Sequence, residues 1–486
     1  MNERAASLRH RMRLFLLASL AALAGCATPP GYDPAAHAAP AIAPPSWQAP
    51  LPHDGRLDAL AGWWQQFSDP ALQQLMASAQ TASASIASAR ARIEQSRAAQ
   101  VLAGALLSPT LNASAGASRA RADLNMPAGT SISAGLQSTW ELDLFGGNRA
   151  SRDAATVRAQ GATAAWHDAR VSLAAEVAQQ YTALRACEAQ VEQTRQDALS
   201  RRETARLTDL AARAGFQAPA NAALTRASAA QGNSLLLQQT AQCELLVKAL
   251  VALTGLDEPT LRERLREGTA RLPQPAQIAV PAVPAQALAQ RPDLAAAERE
   301  VIATSLDIRT SEAQFYPRVT LAGSIVAAHF SSGGNNTDGL TWSLGPLSVA
   351  LPLLDGGVRR ANYDAAYARA EEARSIYASK LRGAVREVEE ALVNLQSTSE
   401  RAADAQIATE GFAASYSAAQ ARYRGGLSNL FELEDARRSA VQARSALIEL
   451  QRERVAAWIS LYRALGGGWN ESASVAPPPV NSKPAS

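Results

Sequence analysis

The sequence predicts a mostly helical α+β chain, built by internal duplication, whose four β-strands can close a membrane barrel only when several copies assemble. Three observations carry that prediction. First, Pro109-Thr110-Leu111 returns as Pro317-Arg318-Val319-Thr320-Leu321, Phe145-Gly146-Gly147 as Asp355-Gly356-Gly357, and Arg213-Ala214-Gly215-Phe216 as Arg424-Gly425-Gly426-Leu427. The offsets are 208, 210 and 211 residues, and a repeat of this length dictates architecture before any local motif does. Second, Arg149 to Ala214 and Arg359 to Arg424 hold no proline and are dense in strong helix formers. Each stretch of about 66 residues would run roughly 100 Å at 1.5 Å per residue. Third, Ser131 to Leu144 alternates with period two: Ile132, Ala134, Leu136, Trp140, Leu142 and Leu144 share one face, and Ser131, Ser133, Gln137, Thr139, Glu141 and Asp143 the other. That alternation suits a sheet between lipid and water, and also a strand pair of a soluble sandwich.

The elements follow in order. Arg4, Arg9, Arg11 and Arg13 precede the short apolar run LFLLASLAALAG, the layout of an export signal over residues 1–25. With Glu3 these arginines account for the whole formal net charge of +3, so nothing points to a nucleic-acid partner. Leu23-Ala24-Gly25-Cys26 resembles the lipobox of bacterial lipoproteins. The resemblance implies cleavage before Cys26 and lipid on its thiol. Ala27 is not the aspartate that retains many such lipoproteins at the inner membrane, which favours the outer membrane. Residues 26–62 are rich in proline and alanine and read as a tether.

The first repeat, 63–258, runs helix, strand, loop, strand, long helix, tight turn, helix. Its parts are helix near Asp69–Leu106, strands TLNASAGASRA and Ser131–Leu144, the long helix, and helix near Ala220–Thr254. A connecting segment, 259–290, leads to the second repeat, 291–468, with helix near Pro292–Gln314, strands near Arg318–Phe330 and Leu340–Leu353, the second long helix, and helix near Phe431–Leu465. The polar SSGGNNTDG should be a flexible turn between its strands, and 469–486 a disordered tail. Four strands leave open edges that lipid cannot tolerate, so other copies must supply the rest. Two copies would give a filled eight-stranded barrel and three a pore; four copies stay open.

Several stretches then match one family in order and spacing: Trp63-Trp64-Gln65-Gln66-Phe67-Ser68-Asp69-Pro70, Leu253-Thr254-Gly255, Arg291-Pro292-Asp293-Leu294, Phe315-Tyr316-Pro317, both glycine pairs, and Leu461 to Gly467. The chain resembles outer-membrane efflux lipoproteins of the TolC family, in the OprM/NodT branch. The resemblance implies a homotrimer: an outer-membrane β-barrel, four strands per chain, continued by a long periplasmic α-helical barrel. Its implied partners are a periplasmic membrane-fusion adaptor and an inner-membrane transporter of the proton-driven RND type. It implies a passive exit duct for small molecules, with the outer-membrane channel of a type I protein secretion system as the alternative.

Function is expected at the tight turns. Gly215, Gly425 and Gly426 relieve the backbone at helix ends; the resemblance implies that such tips meet the adaptor's helical hairpin, with Phe216 and Leu427 as the exposed apolar contacts. In FELEDARR, Glu432 and Asp435 lie one helical turn apart. The resemblance assigns both, with Tyr423 at the tip, to a periplasmic gate. A solvated face balanced by Arg437 and Arg438 is the other way to read the same acids. Cys187 and Cys243 are symmetric about residue 215, which sets them side by side in an antiparallel hairpin and suggests a disulfide, unless helical drift points the thiols apart. The five histidines are scattered, and no Ser-His-Asp, HExxH or phosphate-loop pattern marks an enzyme or a cofactor site.

Overall fold

The computed structural model describes residues 47–48, 63–121, 127–274 and 288–469. The signal segment, Cys26 and the tail beyond Trp469 lie outside the described residues. The described elements are α1 (Pro70–Ala82), α2 (Ala84–Ala105), β1 (Thr110–Ala120), β2 (Gly129–Leu142), α3 (Gly147–Arg213), α4 (Pro219–Thr254), α5 (Glu258–Leu265), α6 (Pro292–Ala313), β3 (Arg318–Ser332), β4 (Asn335–Ala350), α7 (Val358–Arg424) and α8 (Leu430–Ala464). Both long helices, α3 and α7, have 67 residues. Two compact units divide these residues, and they do not follow the repeats: one comprises Arg92–Ala162 and Ala297–Tyr377, the other most of the remainder.

The first unit holds the sheet, in order β1-β2-β3-β4 and antiparallel throughout. Its register sorts side chains by polarity in the middle of the sheet, where rows run across all four strands. Asn112, Gln137, Ser324 and Ser343 form one row, and the neighbouring row is Ala113, Leu136, Ile325 and Trp342. Successive residues face opposite sides of a pleated strand, so these rows are the polar and apolar faces of one sheet. The row containing Ile132, His329 and Asp338 is mixed, and the His329–Asp338 pair lies near the β3–β4 turn. A bulge sets Gly345-Pro346 opposite Ala322, a place where a residue without an N–H is tolerated.

Three boundaries differ from expectation. The β3–β4 loop is a two-residue turn at Gly333-Gly334, both at positive φ as mirror-image hairpin turns require, so β4 begins at Asn335 rather than Leu340. The first helix of the repeat is broken at Ser83, whose backbone is extended and whose Oγ accepts from the Ile86 amide at 3.4 Å. Asp143 and Leu144 leave the strand.

Asp143 is not a face residue of the sheet. Its carboxylate accepts from the backbone amides of Asn148 (3.1 Å) and Arg149 (2.9 Å) and from Arg149 Nε (3.1 Å). Asp355 repeats the clamp, accepting from the Gly357 amide (3.0 Å), the Arg359 amide (3.1 Å) and Arg359 Nε (2.7 Å). Each long helix thus starts with its orphan amides satisfied by an aspartate, where the helix dipole also favours negative charge. The hydrogen bond from Arg359, with those from the two amides, holds the Asp355 carboxyl down at about 2. Burial pushes the Asp143 carboxyl up, but its amide and Arg149 bonds outweigh that and leave it lowered. The joints differ in backbone: Gly356 and Gly357 both have positive φ, whereas only Gly146 does in the first, and Gly147 is needed for close approach to Ala313.

The second unit is held by a core in which Trp63 stacks on Tyr462, ring centroids 6.0 Å apart, and packs edge-on against Phe67. Asp69 caps α1 through the Leu72 amide (3.1 Å) and accepts from the Tyr181 hydroxyl (2.6 Å). Buried Arg291 is held by Asp293 (2.8 Å), Glu387 (2.8 Å) and the Ala464 carbonyl (2.9 Å). A buried charge persists only when so paired, which gives two of the sequence motifs a structural role. Trp469, assigned to the tail by sequence, lies with its ring 6.0 Å from that of His167.

Candidate functional site at the helix tips

The turns after α3 and α7 have the same hydrogen bonds. Phe216 N–H donates to the Ala211 carbonyl and Leu427 N–H to the Arg422 carbonyl, each at 2.8 Å, closing a helix end of the Schellman type. That closure needs one left-handed residue, supplied by Gly215 (φ +81°) and Gly426 (φ +74°). Gly425 is not left-handed, and a Cβ there would make only an ordinary 3.5 Å contact with the Ala421 carbonyl. The expectation that Gly425 relieves the backbone is therefore corrected. Phe216 and Leu427 project from the turns, 83% and 74% exposed, and Phe431 is exposed beside Leu427.

The two candidate gate carboxylates differ in freedom. Asn429 caps α8 by accepting from the Glu432 amide at 2.9 Å. The Glu432 carboxylate is engaged by Arg422 and by Ser428 Oγ at 3.0 Å. Among the described residues Asp435 has only Arg438, at 4.0 Å, and its side chain is 76% exposed. Of the pair, Asp435 is the one with charge to spare. Tyr423 is half-buried, its hydroxyl 3.4 Å from Thr208 Oγ1 on α3.

Arg437 does not share a solvated face with Arg438, because it is 1% exposed. Its guanidinium reaches Thr204 Oγ1 (2.9 Å), Ser200 Oγ (3.2 Å), the Tyr416 hydroxyl (3.4 Å) and Glu434 (2.5 Å). Ser200 and Tyr416 also bond each other at 2.7 Å. Ser228 Oγ on α4 links Glu434 (3.3 Å) to Arg201 (2.9 Å), which pairs with Asp197 at 2.7 Å. All four helices of the two hairpins enter this network. Sequence reading missed Arg437, although Leu430, Leu433 and Arg437 recur at helical spacing and are all buried. Cys187 and Cys243 are joined by a disulfide between α3 and α4, Cα atoms 5.6 Å apart. No metal-binding cluster occurs among the described residues.

The chain thus carries a four-stranded sheet whose central rows alternate in polarity and two long helical hairpins with exposed apolar tips, the second of them bearing carboxylates. The model of the outer membrane efflux protein family matches residues 75–256 and 283–467, and the chain belongs to that family of outer-membrane channels. It is 31% identical over 468 residues to the outer membrane protein OprJ of Pseudomonas aeruginosa, covering 93% of this chain and 95% of that protein. It is 28% identical over 469 residues to the toluene efflux pump outer membrane protein TtgI of Pseudomonas putida, covering 93% of this chain and 98% of that protein. The solved outer-membrane channel OprN superimposes with a TM-score of 0.74 at 27% identity, over 88% of this chain and all of that one.

Proposed function

We propose that the chain is the exit duct of a tripartite efflux system, passing small molecules such as drugs or toxic compounds out through the outer membrane. The observation that carries this reading is the sheet: its central rows alternate between polar and apolar across all four strands, and its edge strands β1 and β4 have no second strand partner among the described residues. In lipid such edges must be paired, and three copies would close a twelve-stranded barrel wide enough for water. Lipid on Cys26 would anchor each copy. Phe216 and Leu427 would meet the helical hairpin of a periplasmic adaptor, and a proton-driven inner-membrane transporter would supply the energy. The duct itself performs no chemistry and needs no cofactor.

At the entrance, Asp435 would be repeated once per copy as a carboxylate ring that favours cations. Arg437 would hold α8 against α3, and so set the height and orientation of that ring. The relatives named for efflux, toluene among them, support a small-molecule cargo. Purified full-length protein reconstituted in planar bilayers should form discrete cation-preferring channels, and chemical cross-linking should stop at three copies. Bilayers that stay silent with correctly assembled trimer would end the duct reading.

A further inference from the structure

A cavity of about 770 Å³ lies in the second unit between α3, α7 and α8, with residues 270–274 along one side. Sites for drug-sized ligands span roughly 300–1,000 Å³. Its walls carry opposite charge: Glu192 and Asp197 on α3, Arg437 and Arg444 on α8, with Leu272, Val441 and Ile448 between them. Two of the four charges are already satisfied. Glu192 is engaged by Arg195 and Gln196, and Arg437 by its hydroxyl and Glu434 partners.

The other two keep unused capacity. Asp197 gives one carboxylate oxygen to Arg201, while its Oδ1 is buried with no hydrogen-bond partner among the described residues. A buried acceptor left so is costly and calls for a donor. Arg444 is exposed at the cavity and has no ion-pair or hydrogen-bond partner among the described residues. A simple cation would satisfy Asp197 and be repelled by Arg444; a simple anion would do the reverse.

We propose that this cavity binds a zwitterionic small molecule with an apolar body, its ammonium directed to Asp197 Oδ1 and its carboxylate to the Arg444 guanidinium. The site goes beyond the duct reading and does not require it, since binding is read at equilibrium without conduction. Three dansyl probes share one apolar body and differ in charge: Nε-dansyl-lysine is a zwitterion, dansylcadaverine a cation and dansylglycine an anion. Equilibrium dialysis against the full-length protein in detergent, with empty micelles as blank, should show saturable binding of the zwitterion about tenfold tighter than of either other probe, the size of one charge-assisted hydrogen bond.

Asp197→Asn should weaken the zwitterion and the cation but not the anion. Arg444→Gln should weaken the zwitterion and the anion but not the cation. Ala440→Trp, which puts an indole into the cavity wall, should weaken saturable binding of all three. Because Arg444 is exposed, its variant tests the site even if Asp197→Asn fails to fold. Equal binding of the three probes, or zwitterion binding left unchanged by both Arg444→Gln and Ala440→Trp, overturns the proposal.

Discussion

At the end of α3 the chain turns on Gly215 and presents Phe216; at the end of α7 it turns on Gly426 and presents Leu427. The hydrogen bonds of the two turns coincide, and the repeat offset of 211 residues carries one onto the other. The next two helical turns do not coincide. In that register Glu432 stands where the first repeat has Asn221, Asp435 where it has Leu224, and Arg437 where it has Arg226. Arg226 is exposed and among the described residues reaches only its own helix, donating to the Ala222 carbonyl at 3.3 Å, whereas Arg437 is buried among groups from three other side-chain positions on two further helices. Duplication preserved the backbone device, and charge and burial diverged just beyond it. The second hairpin carries the acids; the first supplies hydroxyls that hold it.

The sharpest way to break this comparison is to truncate the two equivalent arginines. Arg437→Ala leaves half-buried Glu434 without its cation and takes a donor from Thr204 Oγ1 in the packed interior, a loss of about 3 kcal/mol or more. Arg226→Ala removes one exposed helix-surface contact and should stay within about 0.5 kcal/mol. Thermal unfolding in detergent, followed by circular dichroism, measures both. Equal losses would mean that the two hairpins are held alike.

The turns give the next largest effect. Alanine at Gly426 must adopt a left-handed backbone, at a cost of about 1–2 kcal/mol. At neighbouring Gly425 the same change meets no strain and should be neutral or stabilise by about 0.5 kcal/mol. Hydrogen exchange of the amides from Gly425 to Leu427 separates the two outcomes. If both variants exchange alike, the assignment of the left-handed position is wrong.

Much of this was legible in the sequence, for identifiable reasons. Period-two alternation and the proline-free stretches are long signals, so the sheet faces and the extents of α3 and α7 follow from them. The tip turns were legible through glycine, yet Gly425 was over-read, because a pair of glycines does not say which one is left-handed. Arg437 was hidden for a different reason: residue type alone places an arginine in solvent. Only its spacing from Leu430 and Leu433 puts it on the buried stripe. Asp143 was assigned to the sheet because it continues the alternation by one step. The bonds that claim it come from Asn148 and Arg149, beyond the reach of a strand pattern.

A smaller effect separates Asp435 from its counterpart Leu224. In the proposed trimer Asp435→Ala should raise open-channel conductance and reduce cation preference on the order of twofold at low salt, with the difference fading near 1 M, where the screening length is about 3 Å. Leu224→Ala should change neither. Single-channel recordings in planar bilayers across a salt series provide the measurement, and unchanged selectivity in Asp435→Ala would remove this residue from the gate.

The smallest effect at neutral pH, and the one that needs acid to see, concerns the joints at the other end of the long helices. Asp355 has a depressed carboxyl, at about 2 against an ordinary 3.8, because Arg359 and two amides bind the charged form. A depressed folded-state value means that its contribution is fully present above the ordinary value and is lost as the pH falls through about 2. The first turn of α7 should therefore keep its amide protection at pH 4 and lose it only in stronger acid. Asp355→Asn should weaken that protection already at pH 7 and flatten its pH dependence. Asp143, lowered against the opposing push of burial, should respond in the same direction at the start of α3. Hydrogen exchange of Val358 to Ala361 and of Gly147 to Ala150, each referenced to its intrinsic rate, compares the two joints. An Asp355→Asn protein with unaltered protection there would show that the arginine and glycines hold the joint without the carboxylate.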